Sequence, residues 1–285
     1  MERATYRIPA MHIPDGFLST PVWATLDAVA LPSIGWLARR AHSDDRRIPL
    51  LGVMGAFVFA AQMINFPVGL GTSGHLVGGA LLAIVLGPMA GVIVMTAILV
   101  LQAVVFQDGG ILTLGANICN MALAGVAAGY LPSSVWGRTR SAIFAGGVLS
   151  ILVSASLALS ELLLSGVAMP LRLTWISLGV FLVNGLVEGA ITVAAVEAVE
   201  RLNPRGLTHP QLAGSRVMAA VALTAVILIT GGVLLASTQP DTLQSLIAQV
   251  PQSGQSPSWL NAPLAGLFIV TICVAGGRLL ARRSA

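Results

Sequence analysis

The chain of 285 residues is 56% hydrophobic and 9% charged, with a net charge of +4 and a mean hydropathy of +0.88. Soluble domains carry about 25% charged residues, so this composition excludes a chain that covers itself with a polar surface. We therefore expect a lipid bilayer around the protein, and no nucleic acid as a partner. Cys119 and Cys273 lie in separate apolar runs, which predicts neither a disulfide nor a thiolate metal site.

Apolar runs in chain order predict an all-α, polytopic membrane protein with about nine transmembrane helices. One crossing needs about 20 apolar residues, and no run has the alternating polar face of a barrel strand. Gly87-Pro88 separates the third run from the fourth, and the third is short enough to be tilted or partly re-entrant. The runs cover residues 22–38, 50–66, 74–86, 88–106, 111–131, 141–164, 174–196, 216–236 and 262–281.

The distribution of arginine predicts the orientation of these helices. Twelve of the 15 basic residues, all of which are arginine, fall on one side of the membrane under the nine-helix count. Basic residues are enriched on the cytoplasmic side, so we expect the N-terminus outside and the C-terminus inside. The polar loop 237–261, which has no basic residue, then lies outside.

The four histidines divide into two pairs under this topology. His42 and His209 fall in cytoplasmic loops, whereas His12 and His75 lie outside, at the mouth of the bundle. Imidazole suits nickel, copper, zinc and cobalt. If Met11 were the first residue, its amine, the deprotonated amide of His12 and the His12 imidazole would form two fused chelate rings. His75 would complete four nitrogens, as Ni(II) or Cu(II) prefers; the alternative is that both histidines merely face water.

Other polar residues near the mouth or within the predicted helices allow two interpretations each. Glu188 and Asn184 share a face of the seventh run. Glu188 either serves in coupling or supports a metal ligand, or it fixes helix packing as a hydrogen-bonded or protonated acid, which we favour. Asn117 either orients a ligand histidine or caps a helix. Asp15 and Asp108 either attract cations or make the turns that Asp-Gly pairs favour.

Several phrases resemble the CbiM/NikM family of metal-specific membrane subunits in energy-coupling factor transporters for nickel or cobalt. They are MHIPDGFLS (11–19), FPVGLGTSGHLVGGALLAIVLGPMAGVIVM (66–95) and FQDGGILTLGANICNMALAG (106–125), with GLVEGAIT (185–192) as a looser fourth. In the tail, STQPDTLQSLIA (237–248) resembles the PDGLE segment of the small NikN/CbiN-type partner. The chain thus resembles a fused protein.

The resemblance implies three parts. Residues 1–10 are an extension that precedes the family motif, residues 11–205 are the metal-binding membrane domain, and residues 206–285 are a NikN/CbiN-like two-helix segment around the external loop. Because the family motif belongs at an N-terminus, we expect translation to start at Met11, or the extension to be removed.

The resemblance also implies a site and a function. The metal ligands would be Met11, His12 and His75, and MHIPDG resembles the nickel-type start more than the cobalt-type start. Phe181 stands where cobalt-type relatives often carry histidine, so a ligand from the seventh helix is in doubt. The function implied is capture of Ni(II) or Co(II) at the outer face of a prokaryotic cytoplasmic membrane.

The partners implied are a membrane coupling subunit of the NikQ/CbiQ type and cytoplasmic ATPases of the NikO/CbiO type. The sequence has no GxxxxGK[ST] phrase, so we expect no enzyme activity and no catalytic cofactor of its own. Two alternatives from other classes are a membrane metalloenzyme using His12 and His75, and an ion-coupled carrier that works alone.

Overall fold

A computed structural model describes residues 12–40, 48–64, 66–69 and 72–202, and four further helical positions at 219, 223, 224 and 227. The predictions for Met11, the extension 1–10, His42, His209, the external loop 237–261 and the last helix lie outside these residues. The same holds for most of the run 216–236. The nine-helix count and the orientation remain predictions.

Most of the described chain is helical. The α-helices are α1 Thr20–Arg40, α2 Ile48–Gln62, α3 Gly79–Leu86, α4 Pro88–Leu101, α5 Leu114–Asn117, α6 Val126–Trp136, α7 Arg140–Leu164 and α8 Leu171–Leu202. Two π-helical segments interrupt the regular pattern: Gln102–Phe106 extends α4, and Ile118–Gly125 joins α5 to α6.

Four continuous helical stretches in the described part of the chain are long and apolar enough to cross a membrane. They confirm the helices predicted from the fourth to seventh apolar runs. These helices could be predicted because length and hydropathy are properties of the run itself. The stretches are Pro88–Phe106, Leu114–Trp136, Arg140–Leu164 and Leu171–Arg201.

The third predicted crossing is not a transmembrane helix of its own. Residues 75–78 are not helical, and α3 has eight residues, which is about 12 Å of helix against about 30 Å of hydrocarbon. Gly87, with φ of 89°, ends α3, and Pro88 opens α4. α4 then folds back closely, since a Cβ on Gly91 would lie 3.0 Å from the backbone nitrogen of Ala83.

The mostly helical fold that the sequence predicts also contains a short antiparallel hairpin. Strand β1, Phe66–Gly69, pairs with β2, Thr72–Gly74, with Phe66 opposite Gly74. Three glycines and a proline make this stretch a poor helix former, so α2 ends at Gln62 and the backbone pairs with itself instead. The hairpin leads directly into His75 and three further residues that belong to no helix or strand.

Helix α3 lies at the centre of the bundle, and every one of its residues is buried. Small residues bring the neighbouring helices close. A Cβ on Gly129 would lie 2.7 Å from Cα of Ala80, and a Cβ on Gly147 of α7 would lie 2.6 Å from Cα of Gly189 of α8. The middle of α8, which packs closely against α7, lies beside the irregular segment 75–78.

Candidate metal centre

The structure brings His12 and His75 together, although they are far apart in the sequence. Their ring centroids are 6.4 Å apart and the ring planes differ by 18°. Both residues are buried, with 2% of His12 and 0% of His75 exposed. The two imidazoles therefore form a close pair inside the protein rather than two loop side chains that face water.

His12 is held through its ring. Its Nδ1 lies 3.0 Å from Oδ1 of Asp108, and both side chains are buried. Asp108 reaches this position because the π-helical segment Gln102–Phe106 ends at Gln107, which has a left-handed backbone with φ of 55°. When Nδ1 carries the proton and donates it to the carboxylate, the lone pair is on Nε2. Metal-binding histidines are commonly supported by a carboxylate in this way.

Asn117 holds the backbone beside His12 rather than the ring. Its Oδ1 accepts from the Ile13 N–H at 2.8 Å, and its Nδ2 donates to the Ile13 carbonyl at 3.1 Å. Two further donors reach the same carbonyl: Oγ1 of Thr113 at 2.5 Å and the backbone nitrogen of Gly110 at 3.1 Å. Asn117 thus acts on the candidate ligand through the main chain. Of the two roles predicted for Asn117, orienting a ligand histidine or capping a helix, the contact with the histidine ring is made by Asp108 instead.

Asp15 ties the N-terminal segment to the loop after α4. Its carboxylate accepts hydrogen bonds from three successive backbone nitrogens, those of Ile111 at 3.0 Å, Leu112 at 2.8 Å and Thr113 at 3.2 Å. Burial raises the pKa of the Asp15 carboxyl above its ordinary value, and these hydrogen bonds oppose the rise. The adjoining Gly16 has φ of 91°, so this stretch also makes the predicted turn.

His75 begins a segment, residues 75–78, that has no regular secondary structure and is held by hydrogen bonds from α2 and α8. Its Nδ1 lies 2.8 Å from the Leu76 carbonyl oxygen, which places the lone pair on Nε2 when Nδ1 carries the proton. From α8, Asn184 donates to the His75 carbonyl at 3.3 Å. Glu188, also on α8, accepts from the backbone N–H groups of Val77 and Gly78. From α2, Gln62 donates to the Val77 carbonyl at 2.7 Å.

Sequence reasoning missed several of these residues. Gln62 is a polar residue at the end of an apolar run, and its position within a membrane protein was the available signal. Glu161 of α7 is a second buried acid, and it accepts a hydrogen bond from Nδ2 of Asn120 at 2.8 Å. Phe181 is buried and apolar, so α8 contributes through Asn184 and Glu188 and not through that position.

The chemistry that the described residues offer is a pair of imidazoles supported by a carboxylate. Within residues 12–40, 48–64, 66–69 and 72–202, no three His, Cys, Asp or Glu side chains are arranged to hold a metal ion by themselves. Two imidazole nitrogens bind late transition metals, and a complete coordination sphere requires donors beyond these side chains.

A family model for the cobalt uptake substrate-specific transmembrane region, CbiM, matches residues 12–206. The chain belongs to the CbiM family. The matched region begins at His12 and includes His75, Asp108, Asn117 and Glu188. The family resemblance of the three sequence phrases is therefore confirmed.

Relatives of this CbiM family member include fused nickel transport proteins. It is 36% identical over 227 residues to a putative fused nickel transport protein NikMN of Archaeoglobus fulgidus, covering 74% of this chain and 73% of the relative. It is 31% identical over 278 residues to a probable fused nickel transport protein LarMN of Lactiplantibacillus plantarum, covering 87% and 84%. These matches support the prediction that a C-terminal part is fused to the CbiM-like region.

A solved structure described as a transition metal transporter has the same fold. It superimposes with a TM-score of 0.60 at 31% sequence identity, over 70% of this chain and 97% of the other. The bundle described above is thus the fold of a transporter and not an incidental arrangement of apolar helices.

Proposed function

We propose that this protein is the substrate-specific membrane subunit of a nickel or cobalt uptake transporter, and that His12 and His75 bind the metal ion. The observation that carries the proposal is the buried pair of imidazoles, 6.4 Å between centroids, in a member of the CbiM family. Relatives named as nickel transport proteins favour Ni(II), as does the MHIPDG start. The metal ion is the cargo, captured at the outer face of a prokaryotic cytoplasmic membrane.

The proposed transport cycle needs partners. The chain lacks a P-loop phrase, so ATP hydrolysis falls to cytoplasmic ATPases of the NikO/CbiO type, joined through a membrane coupling subunit of the NikQ/CbiQ type. The NikN/CbiN-like segment 206–285 belongs to the same chain in this assembly. The subunit described here then supplies metal selection, and its partners supply the energy for inward delivery.

The ligand set proposed from the sequence makes a specific demand on His12. In the chelate formed by the Met11 amine and the His12 amide, the second ring closes through Nδ1 of the imidazole, because this nitrogen completes a six-membered ring. Nδ1 is the atom that lies 3.0 Å from Asp108. Metal bound in this chelate therefore replaces the contact with Asp108, whereas metal bound through Nε2 keeps Asp108 as a support.

The variant Asp108→Ala separates these two modes of binding. If the metal binds through Nδ1, removal of the competing carboxylate leaves the dissociation constant for Ni(II) unchanged or lowers it. If the metal binds through Nε2, loss of the supporting carboxylate raises it by about 10- to 100-fold. The measurement is an Ni(II) titration of the purified protein in detergent.

The proposed function itself is tested with His12→Ala and His75→Ala. Each is expected to abolish high-affinity binding of Ni(II) and Co(II), because each removes a ligand. His42→Ala and His209→Ala are matched controls, since both residues lie in predicted cytoplasmic loops, and they are expected to bind as the wild type does. Retention of wild-type affinity by both ligand variants would show that this histidine pair is not the metal site.

A further inference from the structure

The chain that carries His75 passes through the interior of the bundle without regular secondary structure. Residues 75–78 belong to no helix or strand and are buried, and the largest exposed fraction among His75, Leu76 and Val77 is 3%. In a membrane protein, backbone N–H and C=O groups at such a position must find partners within the protein, because no water is available to them. What holds this segment therefore also determines where the His75 ring lies.

Two helices on opposite sides supply these partners. From α8, Oε2 of Glu188 accepts from the Val77 N–H and Oε1 accepts from the Gly78 N–H, both at 2.8 Å, and Asn184 donates to the His75 carbonyl at 3.3 Å. From α2, Nε2 of Gln62 donates to the Val77 carbonyl at 2.7 Å. We name Gln62, Asn184 and Glu188 the backbone cradle.

The cradle depends on a carboxylate at position 188. Two adjacent N–H donors require two acceptor oxygens at once, and a carboxylate provides both, whereas an amide provides one oxygen and places an NH₂ group against the other donor. Glu188 is itself well anchored, because the neighbouring Gly189 packs directly on Gly147 of α7. On the other side, Gly78 has φ of 78° and no room for a Cβ beside Val58, so the segment has little freedom to shift.

We propose that Glu188, with Asn184 and Gln62, is a positioning residue of the metal site: the cradle fixes the His75 ring opposite His12 by holding the backbone that follows it. This inference rests on the proposed role of His75 as a metal ligand. It gives the buried acid of α8 a function in metal binding, in place of the internal packing role that the sequence alone favours.

The chain offers a closely matched control. Glu161 on the adjacent helix α7 is also a buried carboxylate in an apolar helix, but its hydrogen bond goes to Asn120 and not to the segment 75–78. Glu188→Gln and Glu161→Gln thus make the same chemical change in similar surroundings. Only the first alters the cradle.

The experiment uses the wild type, Glu188→Gln, Glu161→Gln and His75→Ala in the same detergent. For each protein, a titration gives the dissociation constant for Ni(II), and the ligand-field absorption spectrum of the bound ion is recorded. Glu188→Gln is expected to raise the dissociation constant by about 10- to 100-fold, as changes to residues that support metal ligands do, and to alter the spectrum. Glu161→Gln is expected to change neither.

Each other result has a definite meaning. Wild-type affinity and spectrum in Glu188→Gln, with binding lost in His75→Ala, would overturn the positioning role alone. Equal weakening in both glutamine variants would overturn it as well, because the effect would be general loss of packing. Wild-type binding by His75→Ala would refute the proposed function instead. If Glu188→Gln does not fold, Asn184→Ala carries the test, with a smaller weakening expected and wild-type affinity overturning the proposal.

Discussion

Asn117→Ala is expected to weaken metal binding without a large change in the fold. The Asn117 side chain is 2% exposed and joins both the N–H and the carbonyl of Ile13, the residue after His12. The carbonyl keeps Thr113 and Gly110 as donors in the variant. The Ile13 N–H, in contrast, loses the acceptor that Asn117 provides.

The expected magnitude follows from that N–H group. A buried donor left without an acceptor costs about 1–3 kcal/mol, and about 1.4 kcal/mol corresponds to a tenfold change in affinity. If this cost falls on the conformation in which His12 faces His75, the dissociation constant for Ni(II) rises about 5- to 150-fold. This effect is transmitted through the main chain, because both hydrogen bonds of Asn117 are made to the backbone of Ile13.

The assay is an Ni(II) titration of the purified variant, with thermal unfolding measured in parallel. Thr113→Val is the matched control, because it removes one of several donors to the Ile13 carbonyl and preserves the shape of the side chain. It is expected to weaken binding by less than Asn117→Ala does. Wild-type affinity in Asn117→Ala would refute the reasoning that the Ile13 backbone holds His12 in place.

Three further predictions concern the terminus, the packing of the loop and the choice of metal. The intact mass of the mature protein is expected to correspond to a chain that begins at Met11. A mass that includes Met1 would exclude the Met11 amine as a ligand, because that nitrogen would then be part of a peptide bond. Gly110→Ala is expected to lower stability by about 1–3 kcal/mol, because its Cβ would collide with Asp15; in a thermal unfolding experiment Gly52→Ala, which has space around it, should show no such loss. In competition titrations Ni(II) is expected to displace Co(II), and a preference for Co(II) would contradict the nickel assignment.

The membrane helices between Pro88 and Arg201 were predictable because each depends on the hydropathy of its own residues. The runs 88–106, 111–131, 141–164 and 174–196 correspond to helical stretches long enough to cross a membrane. The third run was not predictable in the same way. Its hydropathy is that of a membrane helix, but residues 75–78 have no regular secondary structure, and partners from α2 and α8 satisfy their backbone groups.

The candidate site shows the same division. His12 and His75 stand out in the sequence because imidazole is rare in this chain and both precede apolar runs. Asp108 and Asn117 were also candidates from the sequence, but their hydrogen-bond partners could not be predicted. Asp108 lies against the His12 ring, and Asn117 accepts from the backbone N–H of Ile13. Which of two nearby polar residues reaches a ring depends on the path of the loop after Phe106, which a left-handed Gln107 sets.

The sequence by itself was enough to predict a lipid bilayer around this protein, most of its described membrane helices, its family and the two histidines of the candidate site. These properties depend on residue type, order and short-range spacing. Only the tertiary structure decided that the rings lie 6.4 Å apart, that residues 75–78 are not helical, and that Gln62, Asn184 and Glu188 hold them. Those features depend on hydrogen bonds between residues far apart in the chain, and such pairings have no signature in local sequence.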